Sequence, residues 1–239
     1  FLTLNLYSSW STIRLTYNEG ASEYPAVTID TNNHIHIVWQ NYIHDYEIYY
    51  KKSTNTGESW LTKRLTWSGW FSNSEFAEIT TDSSNNIHIV WVEDTFFDSL
   101  IYYKKSEDGG MNWLNKRLTW GLFYNNPDII SDLTDYLYVI YEHYYSGDED
   151  LYAKISTNKG YTWVVKRLTW NSGDSANPNF ATDSYNNIHC VWTDDTSGNW
   201  EIYYKKSKDN GLTWSTQRLT WNSWDSIYPN VAVDSNNNV

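Results

Sequence analysis

Short acidic turns recur along the chain, and they are the first residues that could do chemistry. Four segments share the pattern Ser-x-Asp/Asn-x-Gly-x-x-Trp, at residues 53–60, 106–113, 156–163 and 207–214. Carboxylates in a glycine-containing loop suit a hard cation, but Asn55 and Asn158 replace the acid in two turns and remove the charge such an ion needs. The pattern therefore favours a structural turn, in which the Asp or Asn side chain accepts main-chain hydrogen bonds a residue or two onward and glycine supplies positive φ.

Histidines also recur at one position of a predicted strand. Three copies carry it, at His36, His88 and His189, and Tyr138 replaces it in the remaining full repeat. A ring of imidazoles is able to bind a metal ion, but tyrosine as the substitute fits packing and hydrogen bonding better. The sequence therefore predicts a packing role, with no metal ligand and no cofactor. The other histidines are interpreted as surface or loop residues, namely His34, His44 and His143.

The arginines are equally regular. All five begin an Arg-Leu-Thr triplet, at Arg14, Arg64, Arg117, Arg167 and Arg218. A residue that occurs once per repeat at one strand position is predicted to hold neighbouring repeats together. A carboxylate clamp built from several arginines would need arginines outside this position, and the chain has none.

These landmarks define a repeat of about 50 residues, which decides the architecture. In the copy at residues 172–221, segments 179–183, 188–192, 201–206 and 214–220 have the composition of strands, and helical periodicity is absent. Four short strands per unit predict an all-β protein, a β-propeller of four-stranded antiparallel blades.

The blade boundaries follow from the repeat. The chain, residues 1–239, is predicted to be a single propeller domain with blades at about 17–67, 68–120, 121–170 and 171–221. A fifth blade is predicted to be split between residues 222–239 and 1–16, which would close the ring. A piece of a larger propeller is the alternative, because the chain begins without Met and ends within a predicted strand.

The repeated turn resembles the Asp-box (BNR) repeat of the sialidase-like β-propellers, and the resemblance covers nearly the whole chain. The copy at residues 3–10 departs from it, with Tyr7 where glycine belongs. The resemblance implies that these turns join the third and fourth strands, away from the ligand face, and that the protein is extracellular or at the cell surface. The Arg-Ile-Pro motif and three-arginine cluster of sialidases are not found, so the chain is predicted not to be an enzyme.

Composition limits the partners. The net charge is −12, which disfavours nucleic acid and anionic membranes, and no apolar run is long enough to insert into a membrane. Cys190 is the only cysteine and cannot form an intrachain disulfide. The remaining partners are a carbohydrate or a protein ligand.

The loops of this chain that are expected on the ligand face carry aromatic rings beside short polar side chains. This combination suits the apolar faces and hydroxyl edges of a sugar. The candidate ligand-binding residues are Trp67, Trp70, Asp94, Trp120, Trp170, Asp174, Asp194, Trp221 and Trp224. The tryptophans that follow each Arg-Leu-Thr triplet have an alternative role as plugs between blades. The acidic loop at residues 148–150 is interpreted as solvated rather than calcium-binding.

The leading functional hypothesis is a non-catalytic, lectin-like carbohydrate-binding module. The alternative is a structural or protein-interaction propeller within a longer cell-surface or secreted protein. A glycosidase ranks third, because it needs two carboxylates on one face and the only plausible suppliers in the loops are Asp94, Asp194 and Asp195.

Overall fold

A computed structural model describes residues 12–17, 20–69, 72–145 and 147–239, and the regular secondary structure of this part of the chain consists of β-strands. Sixteen strands form four antiparallel sheets, and each sheet is built from four strands that are consecutive in the chain. The predicted all-β propeller of four-stranded antiparallel blades is confirmed. No helix among these residues is long and apolar enough to span a membrane.

Blade 1 contains β1 (Ser22–Ile29), β2 (Ile35–Tyr42), β3 (Tyr46–Ser53) and β4 (Leu61–Arg64). Blade 2 contains β5 (Ser72–Thr81), β6 (Ile87–Thr95), β7 (Ser99–Ser106) and β8 (Leu114–Arg117). Blade 3 contains β9 (Tyr124–Ser131), β10 (Leu137–Tyr145), β11 (Asp148–Ser156) and β12 (Val164–Arg167). Blade 4 contains β13 (Ser175–Thr182), β14 (Ile188–Asp194), β15 (Glu201–Ser207) and β16 (Ser215–Arg218).

The first strands of successive blades contact one another, whereas the main strand neighbour of each fourth strand is the third strand of its own blade. The first strands therefore lie at the centre and the fourth strands at the rim. Residues 12–17 and 219–239 contain no strand, and residues 1–11 lie outside the described part of the chain. The split fifth blade and the blade boundaries remain predictions.

A buried aspartate organises the turn between the first and second strands of each blade. In blade 2, Asp82 Oδ1 accepts the N–H groups of Ser84 and Asn86 at 2.9 Å each. Its Oδ2 lies 3.3 Å from Nε2 of His88, and His88 Nδ1 lies 2.7 Å from the Tyr103 hydroxyl. Burial opposes ionisation, but the hydrogen bonds from His88 and Asn86 hold the pKa of Asp82 below its usual range.

The same chain of hydrogen bonds recurs in blades 1 and 4, as Asp30–His36–Tyr50 and Asp183–His189–Tyr204. Blade 3 differs at two positions together. Tyr138 replaces the histidine and donates directly to Asp132 Oδ2 at 2.9 Å, and Ala153 replaces the outer tyrosine. In blade 3 a single tyrosine therefore makes the hydrogen bond to the aspartate that a histidine–tyrosine pair makes in the other blades. This agrees with the interpretation that the position serves packing and hydrogen bonding.

The repeated Ser-x-Asx-x-Gly-x-x-Trp turns join third to fourth strands. In blade 2, Asp108 Oδ1 accepts the N–H groups of Met111 and Asn112 at 3.0 and 2.8 Å. Trp113 Nε1 donates to the Gly110 carbonyl at 3.1 Å, and Gly110 has a φ of +92°. The predicted structural role is confirmed, although the N–H donors lie three and four residues onward, rather than one or two.

Neighbouring blades are joined through residues in the left-handed region. The Oδ1 atoms of Asn85, Asp135, Asn186 and Asn237 each accept an N–H from the preceding blade, at 2.8 to 3.0 Å. The last of these bonds, from Ser184, shows that the segment after blade 4 continues the pattern of interblade contacts.

The arginines have a different role from the predicted one. The Nε atom of Arg64 donates to the Thr66 carbonyl at 2.7 Å, and its Nη2 atom donates to Glu47 at 2.6 Å. Arg167 and Arg218 make the equivalent bonds to Asp150 and Glu201. These three arginines tie the third strand to the end of the fourth within one blade, and Arg14 and Arg117 bond the carbonyls of Thr16 and Thr119 two residues onward. The prediction that the arginines join neighbouring blades is therefore wrong.

Blade 1 has an uncovered face. Val27 on β1 is 65% exposed, whereas the equivalent residues Ile79 and Ile129 are 6% and 3% exposed. In blades 2 and 3 this position is covered by the strands of the preceding blade. Among the described residues, nothing covers it in blade 1.

Two glycines test how tightly neighbouring blades pack. A Cβ atom on Gly160 would lie 2.0 Å from the hydroxyl of Tyr103 in the preceding blade, whereas one on Gly198 would meet no atom within 4 Å. Both have positive φ, so each alanine variant loses about 1–2 kcal/mol for its backbone conformation. Overpacking adds about 1–3 kcal/mol in Gly160→Ala alone.

Urea unfolding of both variants measures this difference directly. Gly160→Ala is expected to be the less stable of the two. Equal free energies of unfolding would contradict the tight contact between blades 2 and 3.

Candidate functional site

The tryptophans that follow the Arg-Leu-Thr triplets lie at the rim, after the fourth strands. Trp67, Trp120, Trp170 and Trp221 are 68% to 71% exposed, so they are surface residues rather than plugs between blades. Arginine guanidinium groups lie 5.7 to 5.8 Å from the ring centroids of Trp67, Trp120 and Trp221. Trp224 is also exposed, and Trp70 lies outside the described residues.

The predicted aspartates do not share one site. Asp194 is buried and accepts hydrogen bonds from Trp192 Nε1 at 3.1 Å and from Ser175 Oγ at 2.9 Å. Asp174 Oδ1 accepts the N–H of Glu149 at 2.8 Å, and Asp94 accepts the Ser99 hydroxyl. Asp174 and Asp194 therefore support loop and strand structure.

One pair of predicted residues does come together. Trp170 and Asp194 line a cavity of 350 Å³ between blades 3 and 4. Lys205 crosses this cavity, with Nζ 5.7 Å from the Trp170 centroid and 5.4 Å from the Trp192 centroid. We call this the rim pocket. Its aromatic and cationic groups are already stacked on one another.

A second cavity, of 270 Å³, lies between blades 2 and 3 beside the loops that join second to third strands. Three carboxyl groups line it, from Glu75, Asp94 and Glu149. Its aromatic side chains include Phe123 and Tyr144, whose ring centroids are 6.3 Å apart. Of the sequence-predicted residues, Asp94 alone lines this cavity.

The third cavity, of 670 Å³, lies on the propeller axis and shares Phe76 and Asn125 with the second. We call these two adjoining cavities the axial cleft. Equivalent residues from five repeats line the axial part, namely Tyr24, Phe76, Asn126, Asn177 and Tyr228. The cleft therefore presents three aromatic rings and two amide side chains around one axis.

All five of these residues have positive φ, between 43° and 57°. In blades 1 to 4 the register between first and second strands shifts there, as at a β-bulge. Such conformations are uncommon for bulky residues, cost about 1–3 kcal/mol each and cluster at functional sites. Tyr24 and Phe76 contact each other edge to face, with centroids 5.0 Å apart.

This ring of residues is not among the sequence-predicted candidates, although the sequence carries a signal for it. All four prolines of the chain stand at one repeat position, directly after four of these residues. The prolines are Pro25, Pro127, Pro178 and Pro229, and Ala77 follows Phe76. A regular proline inside a central strand indicates a bulge.

Carboxyl groups in the cleft hold protons unusually well. Burial and the charges of Glu142 and Asp174 raise the pKa of Glu149 to about 8. Glu142 is buried beside it, and the two carboxyl groups share a hydrogen bond. On the axis, burial and the charge of Asp128 likewise raise the pKa of Glu78 to about 8. The cleft therefore favours the protonated form of these carboxyl groups.

The acidic loop at residues 148–150 was predicted to be solvated, but only part of it is exposed. Asp148 is exposed, but Glu149 is half-buried and Asp150 is buried against Arg167. Glu75, Glu142 and Glu149 were also missed as candidates. They stand at positions where the repeats differ from one another, so a comparison of repeats draws attention away from them.

Comparison with solved structures supports the architecture. The chain is similar to a protein of unknown function from Dyadobacter fermentans, with a TM-score of 0.68, 14% identity, and coverage of 84% of this chain and 69% of that one. It is also similar to the GH93 α-L-arabinofuranosidase of Fusarium graminearum, with a TM-score of 0.66, 14% identity and coverage of 85% and 67%.

A third similar structure is the NanB sialidase of Streptococcus pneumoniae, with a TM-score of 0.61 and 12% identity. The match covers 84% of this chain and 52% of the sialidase, so the chain spans about half of that enzyme's length. No family model and no curated sequence matches the chain. At these identities the similarities establish a sialidase-like β-propeller fold.

The raised pKa of Glu149 predicts a pH dependence of stability. A carboxyl group whose pKa is raised by folding stabilises the folded state fully below its unfolded pKa of about 4.3, and this contribution is lost as pH rises through about 8. Glu149→Gln removes the titration, so its melting temperature is expected to fall less between pH 5 and pH 8.5 than that of the wild type.

The exposed Glu58→Gln is the matched control and is expected to retain the wild-type dependence. Thermal unfolding across this range, followed by circular dichroism, provides the comparison. A Glu149→Gln curve parallel to the wild-type curve would show that Glu149 titrates normally in the folded protein.

Proposed function

We propose that this protein binds carbohydrate in the axial cleft. The observation that carries the proposal is the convergence of exposed aromatic rings, amides and carboxyl groups on one cleft at the centre of the propeller. Sugars offer apolar C–H faces to aromatic rings and hydroxyl groups to polar ones. The three named structural neighbours include two glycoside-cleaving enzymes, which supports a sugar as the ligand.

Within the cleft, the proposed roles follow from chemistry and position. Phe123 and Tyr144 stack on sugar faces, since both rings are about half exposed beside the cavity. Asp94 accepts hydrogen bonds from hydroxyl groups, and protonated Glu149 donates one to the sugar in place of its hydrogen bond to Glu142. An extracellular or cell-surface location, implied by the resemblance to Asp-box propellers, belongs to the same proposal.

The rim residues remain a competing location for a sugar. Trp170 and Asp194 share the rim pocket, but Asp194 is already bonded to Trp192 and Ser175, and Lys205 already occupies the space over Trp170. The axial cleft offers more volume, and no lysine lies over its aromatic rings among the residues that line it. We therefore place the main site there.

A second candidate function is hydrolysis of a glycosidic bond. It is favoured by Glu149, whose pKa is raised to about 8 and which lines the same cavity as the carboxyl group of Asp94. Glycosidases use a protonated carboxyl group on the leaving oxygen and a second, ionised carboxyl group. The neighbours with named activities are a sialidase and an arabinofuranosidase, which gives no support to the prediction that the chain is not an enzyme.

Glycan binding distinguishes the cleft from the rim. We expect purified wild-type protein to bind a subset of glycans on a broad array, with binding that a soluble sugar competes away. Tyr144→Ala removes an aromatic face of the cleft and is expected to weaken binding at least tenfold. Trp170→Ala, an aromatic-to-alanine change at the rim, is the matched control and is expected to bind as the wild type does.

The reverse result, loss in Trp170→Ala and retention in Tyr144→Ala, would place the sugar in the rim pocket. A folded wild-type protein that binds no glycan on the array would contradict carbohydrate binding. It would favour the alternative of a structural or protein-interaction module.

Turnover tests the second candidate function. Chromogenic α-sialosides and α-L-arabinofuranosides are suitable probes, given the activities named for the neighbours. If the chain hydrolyses either, Glu149→Gln is expected to lower kcat by about 10²–10⁴, because it removes the proton donor. Glu58→Gln is expected to leave kcat unchanged, and an active Glu149→Gln variant would exclude Glu149 as the acid.

A further inference from the structure

Blade 1 contains a cluster of metal-ligating side chains that no other described part of the chain repeats. Asp30, His34 and His36 each offer one ligand atom, and the three atoms lie within 4.8 Å of one another. We propose that these residues form a binding site for a divalent transition-metal ion, with Zn²⁺ as the best-suited ion. The site lies at the turn between the first and second strands and does not depend on the axial cleft.

The distances suit such an ion. His34 Nδ1 lies 2.9 Å from Asp30 Oδ2, and His36 Nε2 lies 3.2 Å from the same oxygen. Zinc binds histidine nitrogen and carboxylate oxygen at about 2.0–2.2 Å in tetrahedral geometry, which separates ligand atoms by roughly 3.3 Å. Small side-chain movements would therefore place all three ligands around one ion, with water in the fourth position.

The remaining imidazole nitrogen of His36 is already oriented. His36 Nδ1 lies 2.8 Å from the hydroxyl of Tyr50. When Nε2 carries the metal, Nδ1–H donates to this hydroxyl and fixes the ring, as outer partners of metal-bound histidines do. His34, with a side chain 25% exposed, provides the route from solvent to an otherwise buried site.

The other blades show why the site is confined to blade 1. The position of His34 is taken by Asn86, Tyr136 and Asn187, and both asparagines donate to the carboxylate with their side-chain nitrogen. In blades 2 and 4 a lysine ammonium group also approaches the aspartate. Lys159 Nζ lies 4.0 Å from Asp82 Oδ2, and Lys206 Nζ lies 3.7 Å from Asp183 Oδ2.

In blade 1 no lysine stands at the corresponding distance from Asp30 within the described residues. The repeat position of Lys159 is occupied by Gly109, and the position of Lys206 is occupied by Lys52, whose Nζ donates to the Gly109 carbonyl at 3.4 Å. A divalent cation at Asp30 therefore meets less positive charge than it would in blades 2 and 4. Both the ligand set and the electrostatics distinguish blade 1.

Zinc titration of the chelator-treated chain tests the site. By calorimetry, wild-type protein is expected to bind one Zn²⁺ per chain, and Co²⁺ in its place is expected to show the visible bands of tetrahedral coordination. His34→Asn is expected to weaken Zn²⁺ binding at least tenfold. It installs in blade 1 the residue that blades 2 and 4 carry, so its melting temperature without metal is expected to stay close to that of the wild type.

His44→Asn is the matched control, because the same substitution is made at an exposed histidine of the same blade. It is expected to bind Zn²⁺ as the wild type does. Wild-type protein that binds no Zn²⁺, or a folded His34→Asn variant that binds it with unchanged affinity, would overturn the proposal. Loss of binding in both variants would move the site to the exposed histidine and would also overturn it.

Discussion

The architecture depends on one buried carboxylate per blade. Each of Asp30, Asp82, Asp132 and Asp183 closes the turn between the first two strands by accepting main-chain N–H groups. Its second oxygen then binds a side chain of the second strand. A buried charge is tolerated only when hydrogen bonds satisfy it, so the turn and the strand are fixed together. The coordinated change at Tyr138 and Ala153 shows that the acceptor is kept while its donor varies.

Carboxyl groups in the repeated turns and in the axial cleft have pKa values shifted in opposite directions. Asp82 meets only donors and stays ionised, whereas Glu149 meets the like charges of Glu142 and Asp174 and retains its proton. Burial disfavours ionisation in both cases, so the neighbouring groups decide the outcome. The carboxylates of the repeated turns are satisfied by donors and stabilise the blades, whereas the like charges gathered in the axial cleft are costly for stability. That contrast is the main physical reason to place function at the axial cleft.

Most of the fold was predictable from the sequence because the repeat multiplies weak local signals. The strands predicted at 188–192 and 201–206 are observed as Ile188–Asp194 and Glu201–Ser207, and the turn glycines have the predicted positive φ. The role of the arginines was mistaken, because a period shows that a contact recurs without showing whether it lies within a blade or between blades. The repeat identifies the tryptophans that follow the Arg-Leu-Thr triplets, but the sequence does not show whether their side chains are exposed or buried.

The axial cleft could not be predicted from the sequence for a different reason. Glu75 and Glu149 belong to different blades, and only closure of consecutive sheets around an axis brings them to one cavity. The Asp30 cluster is a more local case. His34 and His36 are two residues apart in the chain, yet their shared partner became visible only when the turn placed Asp30 between them.

The uncovered face of β1 has a consequence for how the molecule opens. In a repeat protein each unit is stabilised mainly by its immediate neighbours, and blade 1 lacks such a neighbour on the side of Val27 and Ile29, among the described residues. Local opening free energies follow the number of buried apolar contacts. Amide hydrogens of β1, where Val27 and Ile29 are exposed, should therefore exchange with solvent sooner than those of β5 and β9, where Ile79 and Ile129 are buried.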